Sequence, residues 1–304
     1  MNFANWISSL PGVTALGMIW GIMAIGVFIT YKILDIADLT VDGSICTGAA
    51  VCTMLVVSGV NIWLAILAAV AAGMLCGLIT GLAHTLLGIP AILAGILTQL
   101  MLWSINLVIM GKANVALLGK QDVLLISNLS ERILKTNLIL LAFVIVVIAL
   151  LYWFFGTELG ASLRATGSNL NMSRAQGINT NLTKVLGLMI SNGLVALSGA
   201  LLAQNNGAAD INMGRGAIVI GLAAVIVGEA VVSKISSNFI VKLLGVVIGG
   251  IIYYLVYQTV IFLGINSDLL KLLSALVVMV FLGVPYVKKK HFSKPRRKGG
   301  QKHA

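Results

Sequence analysis

Asp35, Asp38 and Asp42 follow one another at three- and four-residue spacing, and Lys32 stands one turn ahead of them. Long apolar runs flank the group on both sides. Carboxylates in such a setting are costly to bury and are functional candidates. One chemistry they would support is the binding of a proton or cation for coupled transport. The other is structural. Gly43 would break the helix needed to align all three, which leaves Asp38 and Asp42 as caps of the half-helix that follows. The break at Gly43 favours the structural role.

A second polar break runs Asp210-Ile-Asn-Met-Gly-Arg215-Gly216, and Asn192 and Gln204 are polar positions in the apolar run before it. Glu229 lies near the end of the next run, with Lys234 as the cation expected to neutralise it. No catalytic set emerges. His84 is the one histidine outside the C-terminal tail, and it is expected at a helix end. There is no His-Glu-x-x-His, no Gly-x-Ser-x-Gly and no cluster of metal ligands. Gly111-Lys112 and Gly119-Lys120-Gln121 lack the earlier glycine and the following Ser/Thr of a phosphate loop. Any ATP that drives this protein must be bound by another chain. Cys46, Cys52 and Cys76 all fall in apolar runs and read as core residues.

The elements that must hold these residues follow from composition. Of 304 residues, 59% are hydrophobic and 10% charged, against roughly 25% charged in a soluble domain. The mean hydropathy is +1.06. Apolar runs near 20 residues recur without alternation, so the chain reads as an all-α polytopic membrane protein. Nine segments are expected, at about 13–34, 44–60, 62–85, 89–110, 136–155, 184–204, 216–233, 239–263 and 268–287, within a range of eight to ten. They form one transmembrane domain over 1–287, followed by a tail at 288–304. The absence of a basic n-region argues against a cleaved leader.

The net charge of +11 is concentrated in that tail, which holds eight Lys/Arg and no acid; the rest of the chain has 12 basic and 9 acidic residues. A basic tail beside a span reads as a cytoplasmic anchor on anionic lipid, in preference to a nucleic-acid contact. Counting spans back from it places 157–183 inside, and 111–135 and the N-terminus outside. Small residues recur every four positions at Gly17/Gly21, Gly73/Gly77/Gly81 and Gly245/Gly249, which reads as close helix packing within the bundle.

The breaks at 37–43 and 209–216 resemble each other, and each precedes a Gly- and Ala-bearing apolar run. Such breaks at matching places suggest discontinuous helices around a pathway. The expected arrangement is an inverted four-plus-four repeat with 136–155 as the odd helix, the first break entering from outside and the second from inside. Asp38, Thr40, Asp42, Gly43, Asn192, Gln204, Asp210 and Gly216 are the candidate passage residues.

Between the halves lies a polar stretch, 156–184, the place where so apolar a chain can meet a soluble partner. Its motif Leu163-Arg164-Ala165-x-Gly167-x-Asn169-x-x-x-x-Arg174-x-x-Gly177-Ile178-Asn179 resembles the cytoplasmic coupling segment of ABC importer permeases for branched-chain amino acids, ribose and related solutes. Ala24-Ile25-Gly26, Asp38-Leu39-Thr40-x-Asp42-Gly43, Gly48-Ala49, Ser198-Gly199-Ala200 and 221–228 resemble other parts of those permeases, so that the likeness covers most of 13–285. The flavour is nearest to the subgroup described as tryptophan/tyrosine transporters. Only residues 1–12 stand where ribose-type relatives have an extra helix, and Gly228-Glu229 replaces a common Gly-Gly.

The resemblance implies a transport subunit, not an enzyme. It implies a second permease copy, ABC ATPase subunits that carry ATP and Mg, an extracytoplasmic solute-binding protein, and no cofactor in this chain. It also implies the cell membrane of a prokaryote, with the C-terminus cytoplasmic and an amino acid as the best guess for the solute. Arg164, Ala165, Gly167, Asn169, Arg174 and Gly177 would carry the ATPase coupling, with Asn169 or Ser168 capping a short helix and Gly177 stopping it. The competing reading is an autonomous proton- or sodium-coupled transporter using Asp35, Asp38 or Asp42.

Overall fold

A computed structural model describes residues 3–117, 130–232 and 238–263, with six further positions between 272 and 283. Helix α1 (Phe3–Phe28) continues through a π-helical turn, Ile29–Ile33, and is followed by α2 (Val41–Val57), α3 (Ile62–Thr85) and α4 (Ala91–Met110). Then come α5 (Ser130–Gly156), α6 (Glu158–Ser168), α7 (Leu170–Ala175), α8 (Thr180–Asn206), α9 (Ala217–Val232) and α10 (Phe239–Phe262).

Helix starts and stops follow local chemistry. Asn61, Asn179 and Asn238 cap α3, α8 and α10 by accepting first-turn backbone N–H bonds. These donors have no partner within the helix, and an Asn side chain supplies one. Left-handed glycines end α4 and α8, at Gly111 and Gly207.

Six of the described helices are long and apolar enough to cross a membrane: Trp6–Ile33, Ile62–Thr85, Ala91–Met110, Leu134–Gly156, Thr180–Asn206 and Phe239–Phe262. Two expected segments are the shorter helices α2 and α9, of 17 and 16 residues. At about 1.5 Å per residue they reach about 25 Å, short of the roughly 30 Å hydrocarbon layer. The ninth segment, 268–287, lies outside the described residues except at those six positions, as does the basic tail.

Packing directions follow from the glycine rows. Gly73, Gly77 and Gly81 of α3 face Ala196, Leu188 and Val185 of α8 in descending order, so these helices run antiparallel. Gly17 and Gly21 of α1 face Ile251 and Val247 of α10 in the same antiparallel sense. Gly249 and Gly245 of α10 meet Ala224 and Gly228 of α9. All three rows therefore bring helices of this one chain together. Helices α1 and α8 form the buried centre, while α3, α4 and α5 turn Leu64, Leu67, Leu93, Leu138 and Trp153 outward. That reverses the surface of a soluble protein and suits a lipid surround.

Two expectations are corrected. The first break, residues 34–40, follows the end of α1 beside α6, so it opens from the face that holds α6 and α7, here termed the inner face. The second, 207–216, opens from the opposite, outer face. That is the reverse of the expected assignment. Gly43 does not interrupt a helix: it lies in the first turn of α2, where an added Cβ would meet Leu102 of α4. The described residues are mostly helical, as expected of an all-α membrane protein, with one short strand pair beside the helices. Asn114–Ala116 (β1) pairs antiparallel with Ala208–Asp210 (β2), with Asn114 opposite Asp210, and this ties the loop after α4 to the loop after α8.

Candidate functional site

The polar stretch folds as two short helices across the inner face. Thr157 starts α6 by accepting from Gly160 N at 3.4 Å. Leu163 and Thr166 are buried beneath the helix, and Thr166 Oγ1 meets Thr183 Oγ1 of α8 at 2.9 Å. A Cβ on Gly167 would collide with the carbonyl oxygen of Ile33, so the backbone of α6 rests directly on the end of α1. Asn169 is extended and separates α6 from α7; its Oδ1 accepts from Met172 N at 3.0 Å, which makes it the cap of α7. Ser168 remains in the last turn of α6. Gly177 takes φ +81° just after α7 ends at Ala175.

The two arginines are exposed at the surface yet tied to their own chain. Arg164 Nη2 donates to Phe155 O at 2.9 Å, and Arg174 Nε donates to Thr180 Oγ1 at 3.1 Å. Ala165 is half-buried beside them. The feature that sequence reasoning missed is apolar: Leu159, Leu170 and Met172 project from the segment. Their presence in an otherwise polar stretch was the signal.

The first break carries a buried polar bracket. Asn192 Nδ2 donates to Asp38 Oδ2 at 2.7 Å, and Thr40 N donates to Asp38 Oδ1 at 2.9 Å. Ser44 Oγ donates to Asn192 Oδ1 at 2.6 Å, and Thr40 Oγ1 meets Thr80 Oγ1 at 2.7 Å. Asp38, Thr40, Ser44, Thr80 and Asn192 are all at most 2% exposed. A carboxylate is tolerated there because every nearby donor points at it. The network joins the break to α2, α3 and α8.

Asp42 does something the sequence could not indicate. Its Oδ2 accepts from Gly216 N and its Oδ1 from Ile218 N, both at 2.9 Å. It therefore caps α9, the half-helix of the other break, and not α2. The N-terminal ends of α2 and α9 thus meet. Gly216, at φ +86°, makes the turn that presents these amides, a conformation that residues with a Cβ rarely adopt. Cys46 supports the junction, its Sγ accepting from Gly214 N at 3.2 Å.

Other candidates lie apart from this junction. Gln204 is buried and donates to Cys52 Sγ at 3.5 Å. Asp210, at the end of β2, accepts from Asn212 N at 2.7 Å. Asp35 has a positive φ of 55°. Glu229 pairs with Lys32 at 2.7 Å; Lys234, the cation expected beside it, lies outside the described residues. His84 sits in the last turn of α3, its Nδ1 2.9 Å from Ile89 O and its Nε2 3.3 Å from Lys184 Nζ. Among the described residues no group of His, Cys, Asp and Glu could hold a metal.

A cavity of about 230 Å³ opens beside the junction, between α2, α4 and the second break. Asp42, Gly43, Cys46, Gln99, Trp103 and Arg215 line it, and Asn106 closes one side. Asp38, Thr40, Asn192 and Gln204 do not reach it. Gln99, Trp103 and Asn106 fall at helical spacing on α4, so one polar face of that helix was legible in the sequence though not read.

Comparison with known proteins agrees with this architecture. The family model described as "Branched-chain amino acid transport system / permease component" matches residues 9–282. The chain is 40% identical over 276 residues to a tyrosine transport system permease protein of Clostridioides difficile (strain R20291), covering 91% of each. It is 35% identical over 262 residues to an uncharacterised protein of Rickettsia prowazekii (strain Madrid E), covering 86% of this chain and 91% of that one. It is 25% identical over 246 residues to a fructose import permease protein of Bifidobacterium longum (strain NCC 2705), covering 80% of this chain and 68% of that one. No solved structure matches the chain. With the family model spanning nearly the whole chain and the broken helices built around a membrane-buried junction, the protein belongs to the branched-chain amino acid type of ABC transport permeases.

Proposed function

We propose that this chain is the membrane subunit of an ATP-driven importer of a small amino acid, of the aromatic or branched-chain kind. Two copies would work with two ABC ATPase subunits on the inner face and a solute-binding protein on the outer face. ATP and Mg would sit on the ATPase, the C-terminal tail on the cytoplasmic side, and the whole in the cell membrane of a prokaryote. The relative named for tyrosine transport supports the solute class.

The observation that carries the reading is the seat of α6 and α7. The segment rests by Gly167 on the end of α1 and by Thr166 on α8, while Leu170 and Met172 point away from the chain. Apolar knobs on an exposed short helix fit a cleft in a motor subunit. Motion of that subunit would be passed to α1 and α8, the two central helices. The pairing of α1 with α10 and of α3 with α8 also supports reading α1–α3 and α8–α10 as an inverted pair.

The test is reconstitution of the chain with its ATPase and binding protein. Met172→Asp should leave the subunits in the membrane but weaken ATPase association and abolish solute-stimulated hydrolysis. Unchanged association and stimulation would overturn the coupling role. Uptake by the purified chain alone, collapsed by an ionophore, would replace this reading with an ion-coupled transporter.

A further inference from the structure

The cavity beside Asp42 holds polar groups that packing leaves unfilled. Asn106 is 1% exposed, and its Oδ1 has no hydrogen-bond partner among the described residues. Its Nδ2 makes only a long bond, 3.4 Å, to Gly43 O. Arg215 is exposed, and its guanidinium has no partner among the described residues. Gln99 is half-buried in the same wall. Asp42 gives each oxygen one backbone donor, and each keeps a lone pair.

Gln99 and Trp103 lie in the middle of α4, whose neighbouring positions Leu93, Leu97 and Met101, outside the cavity, are exposed and apolar. Charged and amide groups at such depth do not face hydrocarbon; they line a watery path. The charges of Asp42 and Arg215 are opposite, which matches neither a sugar nor a simple anion. Asp42 and the Oδ1 of Asn106 offer acceptors, and Arg215 and the Gln99 amide offer donors. At about 230 Å³ the cavity is below the roughly 300–1,000 Å³ of ordinary ligand pockets, so it suits one small solute.

We infer that this cavity is a station for a zwitterionic α-amino acid on its way through the membrane. Arg215 and Gln99 take the solute carboxylate. Asp42 and the orphan Oδ1 of Asn106 take its ammonium group. Trp103 packs against the side chain, as an indole does with an aromatic or aliphatic group. The inference rests on the import reading and deepens it by naming the groups that recognise the solute. A guanidinium and a carboxylate give charge-assisted bonds at both ends of the amino acid. The cavity is open and small, so the solute is held briefly, as a path that must also release it requires.

The experiment uses full-length chain in membrane vesicles with Leu100→Cys, a position that lines the cavity and is well exposed. Labelling of the new thiol is timed with millimolar L-tyrosine, tyramine or 4-hydroxyphenylpropionate. L-Tyrosine should slow labelling at least threefold. Tyramine lacks the carboxylate and the propionate lacks the ammonium group, so neither should protect. Adding Arg215→Gln or Asn106→Leu should remove the protection by L-tyrosine. Equal protection by all three probes, or none by L-tyrosine, would overturn the station. Uptake of L-tyrosine by the complete transporter is measured separately. Import without protection rejects the station and keeps the import reading, whereas failure to import any amino acid rejects that reading and leaves the station to the labelling result.

Discussion

Asp42, in the first turn of α2, accepts a 2.9 Å hydrogen bond from the backbone N–H of Gly216, at the threshold of α9. A second bond from Ile218 N completes the cap. Two half-helices 174 residues apart in the chain are thereby joined. This one carboxylate therefore ties the second break to the start of α2.

Replacing Asp42 should therefore damage α9 more than α2. Loss of an N-cap costs about 0.5–2 kcal/mol in water, and more where the freed amides are buried in a membrane. Asp42→Ala should lower the melting temperature of the detergent-purified chain, and Asp42→Asn, which keeps an acceptor, should lower it less. The reverse order would mean that Asp42 does not cap α9.

The bracket around Asp38 makes a different forecast. Asn192→Leu removes its 2.7 Å donor and leaves a buried carboxylate short of a partner. Such a change should destabilise by about 1–3 kcal/mol. Replacing both groups, as Asp38→Leu with Asn192→Leu, should cost less than the sum of the single changes, because no buried charge is left behind. Additive single and double variants in a denaturation series would show that the two side chains are not coupled.

Gly167 tests the seat of the coupling helix. A methyl group there meets the carbonyl oxygen of Ile33, and backbone cannot swing aside as a long side chain can. Overpacking of this kind costs about 1–3 kcal/mol. Gly167→Ala should lower transport by lifting α6 from α1, and Gly167→Val should lower it further. Wild-type uptake by both variants would show that α6 need not rest on α1.

Much of the architecture was legible because lipid allows few solutions. Apolar runs near 20 residues announce helices, and Asn169 and Gly177 mark the ends of α7 as their side-chain chemistry suggests. The glycine rows at Gly73, Gly77 and Gly81 announce close helix approach, though not the partner helix. That Asn106 Oδ1 and the Arg215 guanidinium have no partner among the described residues was invisible, since satisfaction of a polar group depends on neighbours far along the chain.

The sequence by itself determined that the chain is a helical membrane permease with a polar segment, 156–184, and two polar breaks. Hydropathy, turn residues and the coupling motif are local signals, and they survive without coordinates. Only the tertiary structure decided which break shares a face with α6, that Asp42 caps α9, that Lys32 pairs with Glu229, and that β1 pairs with β2. Those outcomes are pairings between distant segments. A short-range pattern shows that a carboxylate or amide needs a partner, and the packing of α1, α8 and their neighbours selects which one it meets.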